Sequence, residues 1–219
     1  MMKSYRDIDT PNEHMLGEYL DEKFYSSDLF DGFQRFTSQA DQILGKDIIV
    51  TSKKLNLNNA IIDEKNSAHY VNKDIPTFAF ELSAITKGGK ERKGWLIDQN
   101  LKTEYYLLIW PFADLVNAND KVPIFKKVTK AKVLLIQKKK LLEYLRSNGM
   151  RMNLLEFYSN EVRSQVTDQK QNENMKAKFK EKYNKKFWIQ KSLGLAEKPI
   201  NIVISRSELE KIAEYQATV

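Results

Sequence analysis

Apolar and polar positions along the chain follow two periods, and the switches between them mark out the elements. Met15, Leu16, Tyr19, Leu20 and Phe24 recur three and four residues apart, which predicts an amphipathic helix. Thr10-Pro11-Asn12-Glu13 reads as its start: a capping threonine, proline at the first helical position, and glutamate completing a capping box. Ser26 to Gly32 breaks that helix. Phe33 to Gln39 and Lys46 to Thr51 then read as strands joined by a turn around Gly45. Ala60 to Lys65 reads as a third strand behind a turn at Asn56, Asn58 and Asn59. From Thr77 to Ile85, Phe78, Phe80 and Leu82 alternate with Ala79, Glu81 and Ser83, the pattern of a strand with one buried face.

Gly88-Gly89 and the charged run Lys87 to Lys93 predict a loop, with a short strand at Trp95 to Ile97. Tyr105 to Trp110 and Lys132 to Gln137 are apolar and β-prone, as central strands are. Lys138 to Asn148, closed by Gly149, predicts a helix with Leu141, Leu142 and Leu145 facing inward, and Asn153 to Ser164 a further one. Ile200 to Ile204 reads as a late strand. Ser205-Arg206-Ser207-Glu208 is a second capping box, opening a C-terminal helix through Tyr215. Mixed strands and helices, with no repeat and no linker, predict an α/β fold whose mixed sheet is flanked by helices, in one domain over residues 1–219.

Composition narrows the class. Hydrophobic residues at 42% supply a core, so disorder throughout is excluded. The longest apolar run, Tyr105 to Phe112, is of strand length, far from the roughly 20 residues that span a bilayer, so no membrane partner is expected. Met1 to Thr10 is polar and lacks the apolar stretch of a signal peptide. The absence of cysteine excludes a disulfide framework, thiol catalysis and a thiolate zinc site, and a cytoplasmic location follows as the simplest expectation. His14 and His69 are the only histidines, and no phosphate-binding G-x-x-x-x-G-K-[ST] loop occurs.

Net charge is +7, and nearly all of it sits between Lys170 and Lys191, within a lysine-rich segment at 168–192, where eight lysines face two glutamates. Lys176, Lys178, Lys180, Lys182, Lys185 and Lys186 form either a solvated helix face or a surface that tracks nucleic-acid phosphates. Phe179, Tyr183, Phe187 and Trp188 interleave with them. Spacing of about four residues is that of a core-facing stripe, with base stacking as the alternative.

Asp47 opens one predicted strand, and Asp63 and Lys65 sit two apart on the next, side by side on one face. A hairpin would bring Asp47 alongside them. Two carboxylates suit Mg²⁺, which takes one or two protein carboxylates together with substrate phosphate, and the ammonium could orient water or stabilise a phosphoryl transition state. Glu81, beside Phe80 and Leu82, needs a partner to offset its desolvation: either a metal or a basic neighbour.

This arrangement resembles the PD-(D/E)xK nuclease superfamily, with its restriction-endonuclease-like core. There an aspartate begins the second core strand and (D/E)-x-K follows on the third. Asp47 matches the first position, and Asp63-Glu64-Lys65 the second. Many members carry a glutamate on the preceding helix, and Glu18 takes that place. Lys46 stands where the eponymous proline would be, and the acidic middle residue leaves either Asp63 or Glu64 as the ligand. Only Asn66 to Pro76 separates Lys65 from the next strand, where the family usually has a helix. The resemblance implies a Mg²⁺-dependent nuclease, with Mn²⁺ as substitute, acting on nucleic acid, DNA first, and often as a homodimer. Asp47, Asp63, Glu18 and Glu81 would be the metal ligands, and Lys65 would serve the water or the transition state. The rival expectation is an inactive nuclease-fold module that binds nucleic acid or a partner.

Overall fold

The computed structural model describes residues 6–117 and 123–219. Met1 to Tyr5, part of the segment without a signal-peptide pattern, lie outside the described residues. The chain divides into two compact units, each assembled from separate stretches of sequence. Among the described residues, one holds 6–75, 101–117, 123–139 and 213–219; the other holds 76–100 and 140–212. Because the chain passes between them more than once, neither unit is bounded by a single linker, and none is visible in the sequence.

The first unit is built on a six-stranded mixed sheet. Its elements are α1 (Arg6–Leu20), β1 (Gly32–Arg35), α2 (Gln39–Ile43), β2 (Ile48–Ser52), β3 (Leu57–Asn66), β6 (Tyr105–Leu115), β7 (Phe125–Gln137) and β10 (Tyr215–Thr218). Strand order is β1-β2-β3-β6-β7-β10. Every pairing is antiparallel except β3 with β6, where Asp63 lies level with Tyr106 and Lys65 with Leu108. α1 and the π-helical turn Asp21–Tyr25 that continues it bury Leu16, Leu20, Phe24 and Tyr25. These join one core with Ile48, Val50, Ala60, Ile62, Leu107, Ile109, Val133 and Leu135. Ala60 and Ile62 alternate with Asp63 and Lys65, so the core side chains and the candidate site occupy opposite faces of β3.

The second unit carries a four-stranded antiparallel sheet in the order β5-β4-β9-β8, with β4 at Thr77–Ile85, β5 at Glu91–Lys93, β8 at Phe187–Lys191 and β9 at Ile200–Ser205. α4 (Met152–Gln165) packs on β4, β8 and β9, and α5 (Gln169–Lys182) packs on β8. α3 (Lys138–Ser147) and α6 (Arg206–Glu210) complete the elements. The fold is thus α/β with a mixed sheet flanked by helices, plus a second sheet. No helix among the described residues is long and apolar enough to cross a membrane.

Several boundaries differ from the sequence pattern. α1 begins at Arg6, so Thr10 is inside the helix rather than its cap; Pro11 lies within it and removes one ladder hydrogen bond. β1 stops at Arg35, and Ser38 instead caps α2, its side chain accepting from the Asp41 N–H. Trp95 to Ile97 is a turn, closed by the Ile97 and Asp98 N–H groups donating to the Gly94 carbonyl at 3.1 and 3.0 Å, and Gly94 itself packs so closely on Glu81 that a Cβ would meet its carbonyl oxygen at 2.2 Å. Ser205 caps α6 without a side-chain bond, and the helix ends at Glu210; Tyr215, Ala217 and Val219 lie on the core with period two, as a strand does.

Three asparagines act as substitutes for peptide groups. Asn12 donates to the Pro123 carbonyl and accepts from the Phe125 N–H, at 2.8 and 2.9 Å. Asn72 does the same for Ala113 at 2.8 and 3.0 Å, and Asn172 for Lys191 at 2.9 and 3.0 Å. The buried Lys191 ammonium in turn donates to the Arg163 and Val166 carbonyls at the end of α4.

Candidate active site

The β2–β3 ladder ends at a fork. Ile48 pairs with Ile62, and the Asp47 N–H donates to the Ile62 carbonyl at 3.1 Å. One step further the chain turns away at Gly45, whose φ of +69° suits glycine. A Cβ there would meet Thr103 Oγ1 at 2.4 Å and Asp63 Oδ2 at 3.6 Å, so Gly45 also clears space beside the site. With backbone pairing over, the Asp47 side chain takes the next position in the ladder: the Glu64 N–H donates to Asp47 Oδ2 at 2.7 Å.

Asp47 stands beside Asp63 in hydrogen-bonding contact, and Lys65 acts on both carboxylates. Asp63 is 1% exposed; Lys65 donates to its Oδ1, and the Thr103 hydroxyl approaches its Oδ2 at 3.4 Å while bonding the Gly45 carbonyl at 3.0 Å. Burial pushes the Asp47 carboxyl up to about 6; Lys65 pulls it down and Asp63 adds to the rise. Burial lowers the Lys65 pKa, but Asp63 and Asp47 more than offset this and hold the ammonium charged. The structure therefore brings together the three residues that the motif singles out.

Glu64 is not an open ligand. Its side chain passes to the opposite face of β3, where Arg35 donates to its two oxygens at 2.7 and 3.1 Å and the Tyr25 hydroxyl donates at 2.9 Å. Arg35 also grips Asp21, from Nη2 at 2.6 Å and from Nε at 3.0 Å. Burial raises the Glu64 carboxyl, with Arg35 opposing, and burial raises the Tyr25 hydroxyl with help from Glu64. The guanidinium also lies against α1, where Arg35 Nη2 donates to the Gly17 carbonyl at 3.5 Å.

Glu18 does not join the cluster. It points outward from α1, its side chain 68% exposed and 3.4 Å from His14. Glu13, one helical turn before Gly17, is the α1 acid whose charge reaches Lys65. Glu81 lies in the other unit, paired with Arg92 at 2.7 Å, so the basic-neighbour alternative describes it. His69 is an exposed residue of a short turn.

The lysine-rich segment forms α5 and β8. Phe179 and Phe187 are buried, confirming the core-facing stripe; Tyr183 lies between them, stacked on Phe179 at 6.2 Å. Lys180 sits over the Trp188 ring at 4.3 Å, Lys176 pairs with Glu173 at 3.3 Å, Lys182 bonds Tyr158 and Lys186 bonds Asn148. Lys178 and Lys185 are exposed.

Sequence reading missed Glu13, Tyr25, Arg35, Gly45 and Thr103. Glu13 is an exposed residue of α1, and nothing in the sequence marks it as the one whose charge reaches Lys65. No pattern marks Arg35 or Thr103, which reach the site only through tertiary pairing. Among the described residues, no group of three or more His, Asp or Glu side chains is placed to hold a metal ion. Two carboxylates, Asp47 and Asp63, with phosphate oxygens to complete the shell, form a donor set suited to Mg²⁺. No family model, curated protein or solved structure matches the chain.

Proposed function

We propose that this chain is a Mg²⁺-dependent nuclease of the PD-(D/E)xK type, hydrolysing phosphodiester bonds of DNA in the cytoplasm. The observation that carries the reading is the meeting of Asp47, Asp63 and Lys65 where β2 and β3 part, with Asp47 heading the second strand and Asp63-x-Lys65 on the third. Asp47 and Asp63 would hold the ion. When bound, Mg²⁺ would supply charge neutralisation at the phosphoryl oxygens and a lowered pKa for attacking water. Water adds to phosphorus and gives up a proton to solvent, the ester P–O bond breaks, and the departing sugar oxygen takes a proton back from solvent. Lys65, held charged by its carboxylates, orients the water or stabilises the added negative charge rather than acting as a base. In the other unit, Lys178 and Lys185 offer the exposed ammonium groups suited to backbone phosphates.

One observation favours a second reading. The acidic pair has no third carboxylate partner grouped for a metal among the described residues, and Lys65 already neutralises Asp63. This suits an inactive binding module. Mn²⁺ binding by electron paramagnetic resonance, with plasmid cleavage assayed alongside, separates the two. Binding and cleavage that both vanish in a folded Asp47→Ala variant support the nuclease; a folded wild type showing neither leaves the binding module.

A further inference from the structure

The Asp47 carboxylate takes a backbone donor from β3. The Glu64 N–H that reaches Asp47 Oδ2 at 2.7 Å belongs to a residue whose side chain is anchored on the opposite face by Arg35 and Tyr25. That anchor is itself braced: Arg35 spans Asp21 on the π-helical turn and Glu64 on β3, and its own strand, β1, runs beside β2 with Arg35 level with Ile48. Both Glu64 oxygens are engaged, and its side chain is 13% exposed. A rotation of the Glu64 peptide would therefore break bonds on both faces of β3 at once.

We propose that Arg35 and Tyr25 are positioning residues for the site: by clamping the Glu64 carboxylate they fix the Glu64 peptide, and that peptide aims the Asp47 carboxylate. Arg35 suits the task because its planar fork holds two carboxylates in a fixed bidentate geometry, whereas a lysine ammonium is a point charge on a flexible stem. The catalytic meaning of this clamp rests on the nuclease reading, whereas the clamp itself does not. Partners that orient a metal-binding group commonly change metal affinity by about 10- to 100-fold when altered.

The test uses Arg35→Lys and Tyr25→Phe in the full chain, with Asn72→Ala as a control that removes two hydrogen bonds elsewhere in the same unit. Amide hydrogen exchange at Glu64 reads the clamp directly, and Mn²⁺ affinity reads its effect on the site. The expected result is exchange at Glu64 faster by about tenfold or more beyond any change in global protection, and Mn²⁺ binding weaker by about 10- to 100-fold, in both variants and not in the control. Should Arg35→Lys fail to fold, Tyr25→Phe, which removes one hydroxyl, decides the matter. Wild-type exchange at Glu64 in a folded Tyr25→Phe would overturn the proposal, as would unchanged Mn²⁺ affinity in a protein that binds the ion. If the wild type binds no Mn²⁺, the nuclease reading fails and exchange at Glu64 alone judges the clamp.

Discussion

Asp47 and Asp63 share one small buried space at the β2–β3 fork, and burial raises the Asp47 carboxyl to about 6 from its ordinary 3.8. A carboxyl whose folded-state pKa is raised stabilises the fold fully below its unfolded value and loses that contribution as pH rises through the folded one. The window here is about pH 4 to 6. Asp47→Asn, which mimics the protonated acid, should therefore match the wild type near pH 4 and exceed it by about 2 kcal/mol at pH 7.5. Urea unfolding at the two pH values measures this; an equal effect at both would remove the buried-acid account.

Metal binding must compete with that proton. Mn²⁺ affinity should hold steady above about pH 6.5 and fall by up to about tenfold per unit below pH 6, with about three-quarters of a proton released per ion near pH 5.5. Calorimetry in two buffers of different ionisation enthalpy counts the proton. Binding indifferent to pH across this range would place the ion elsewhere.

Lys65 and Asp63 depend on each other. Asp63 is almost wholly buried, so Lys65→Met leaves a charge without its main partner and should cost about 3–5 kcal/mol, in addition to abolishing cleavage. Asp63→Asn combined with Lys65→Met should recover most of that stability without recovering activity. Chemical denaturation of the two singles and the double closes the cycle, and strict additivity would deny the coupling.

Two glutamates of α1 should behave differently. Glu18→Ala, at an exposed position, should alter stability by less than about 0.5 kcal/mol and leave Mn²⁺ affinity and cleavage as they are. Glu13→Gln removes the weakest of the charges acting on Lys65 and should slow cleavage more than Glu18→Ala does. Paired rate measurements decide it, and the reverse ranking would return Glu18 to the site.

What could be read from the sequence follows from the range of the interactions involved. Ile48 and Val50, like Phe78, Phe80 and Leu82, announce their strands because burial on one face writes period two into the chain. Asp47, Asp63 and Lys65 were legible because a hairpin makes sequence spacing and spatial proximity nearly the same thing. Glu18 misled because position on a helix was weighed without its angle around the axis. Arg35 and Thr103 were invisible, since each meets Glu64 or Asp63 only after strands distant in sequence have paired. Of the second sheet, β4 and β9 were legible as strands, whereas β5 lies in the charged run read as a loop and β8 in the lysine-rich segment read as a helical stripe; the sheet was not legible as a unit, because its pieces come from both sides of β6 and β7.

The asparagines that bond Phe125, Ala113 and Lys191 each stand where a strand's backbone would otherwise lack a neighbour on that side. Unsatisfied strand backbone is the place where one polypeptide can zip onto another, and proteins commonly guard it with charge, proline or a covering loop. Here a single primary amide does the guarding: it offers the donor and acceptor of one peptide group and then stops, so pairing is satisfied locally and gives an incoming chain no register to extend.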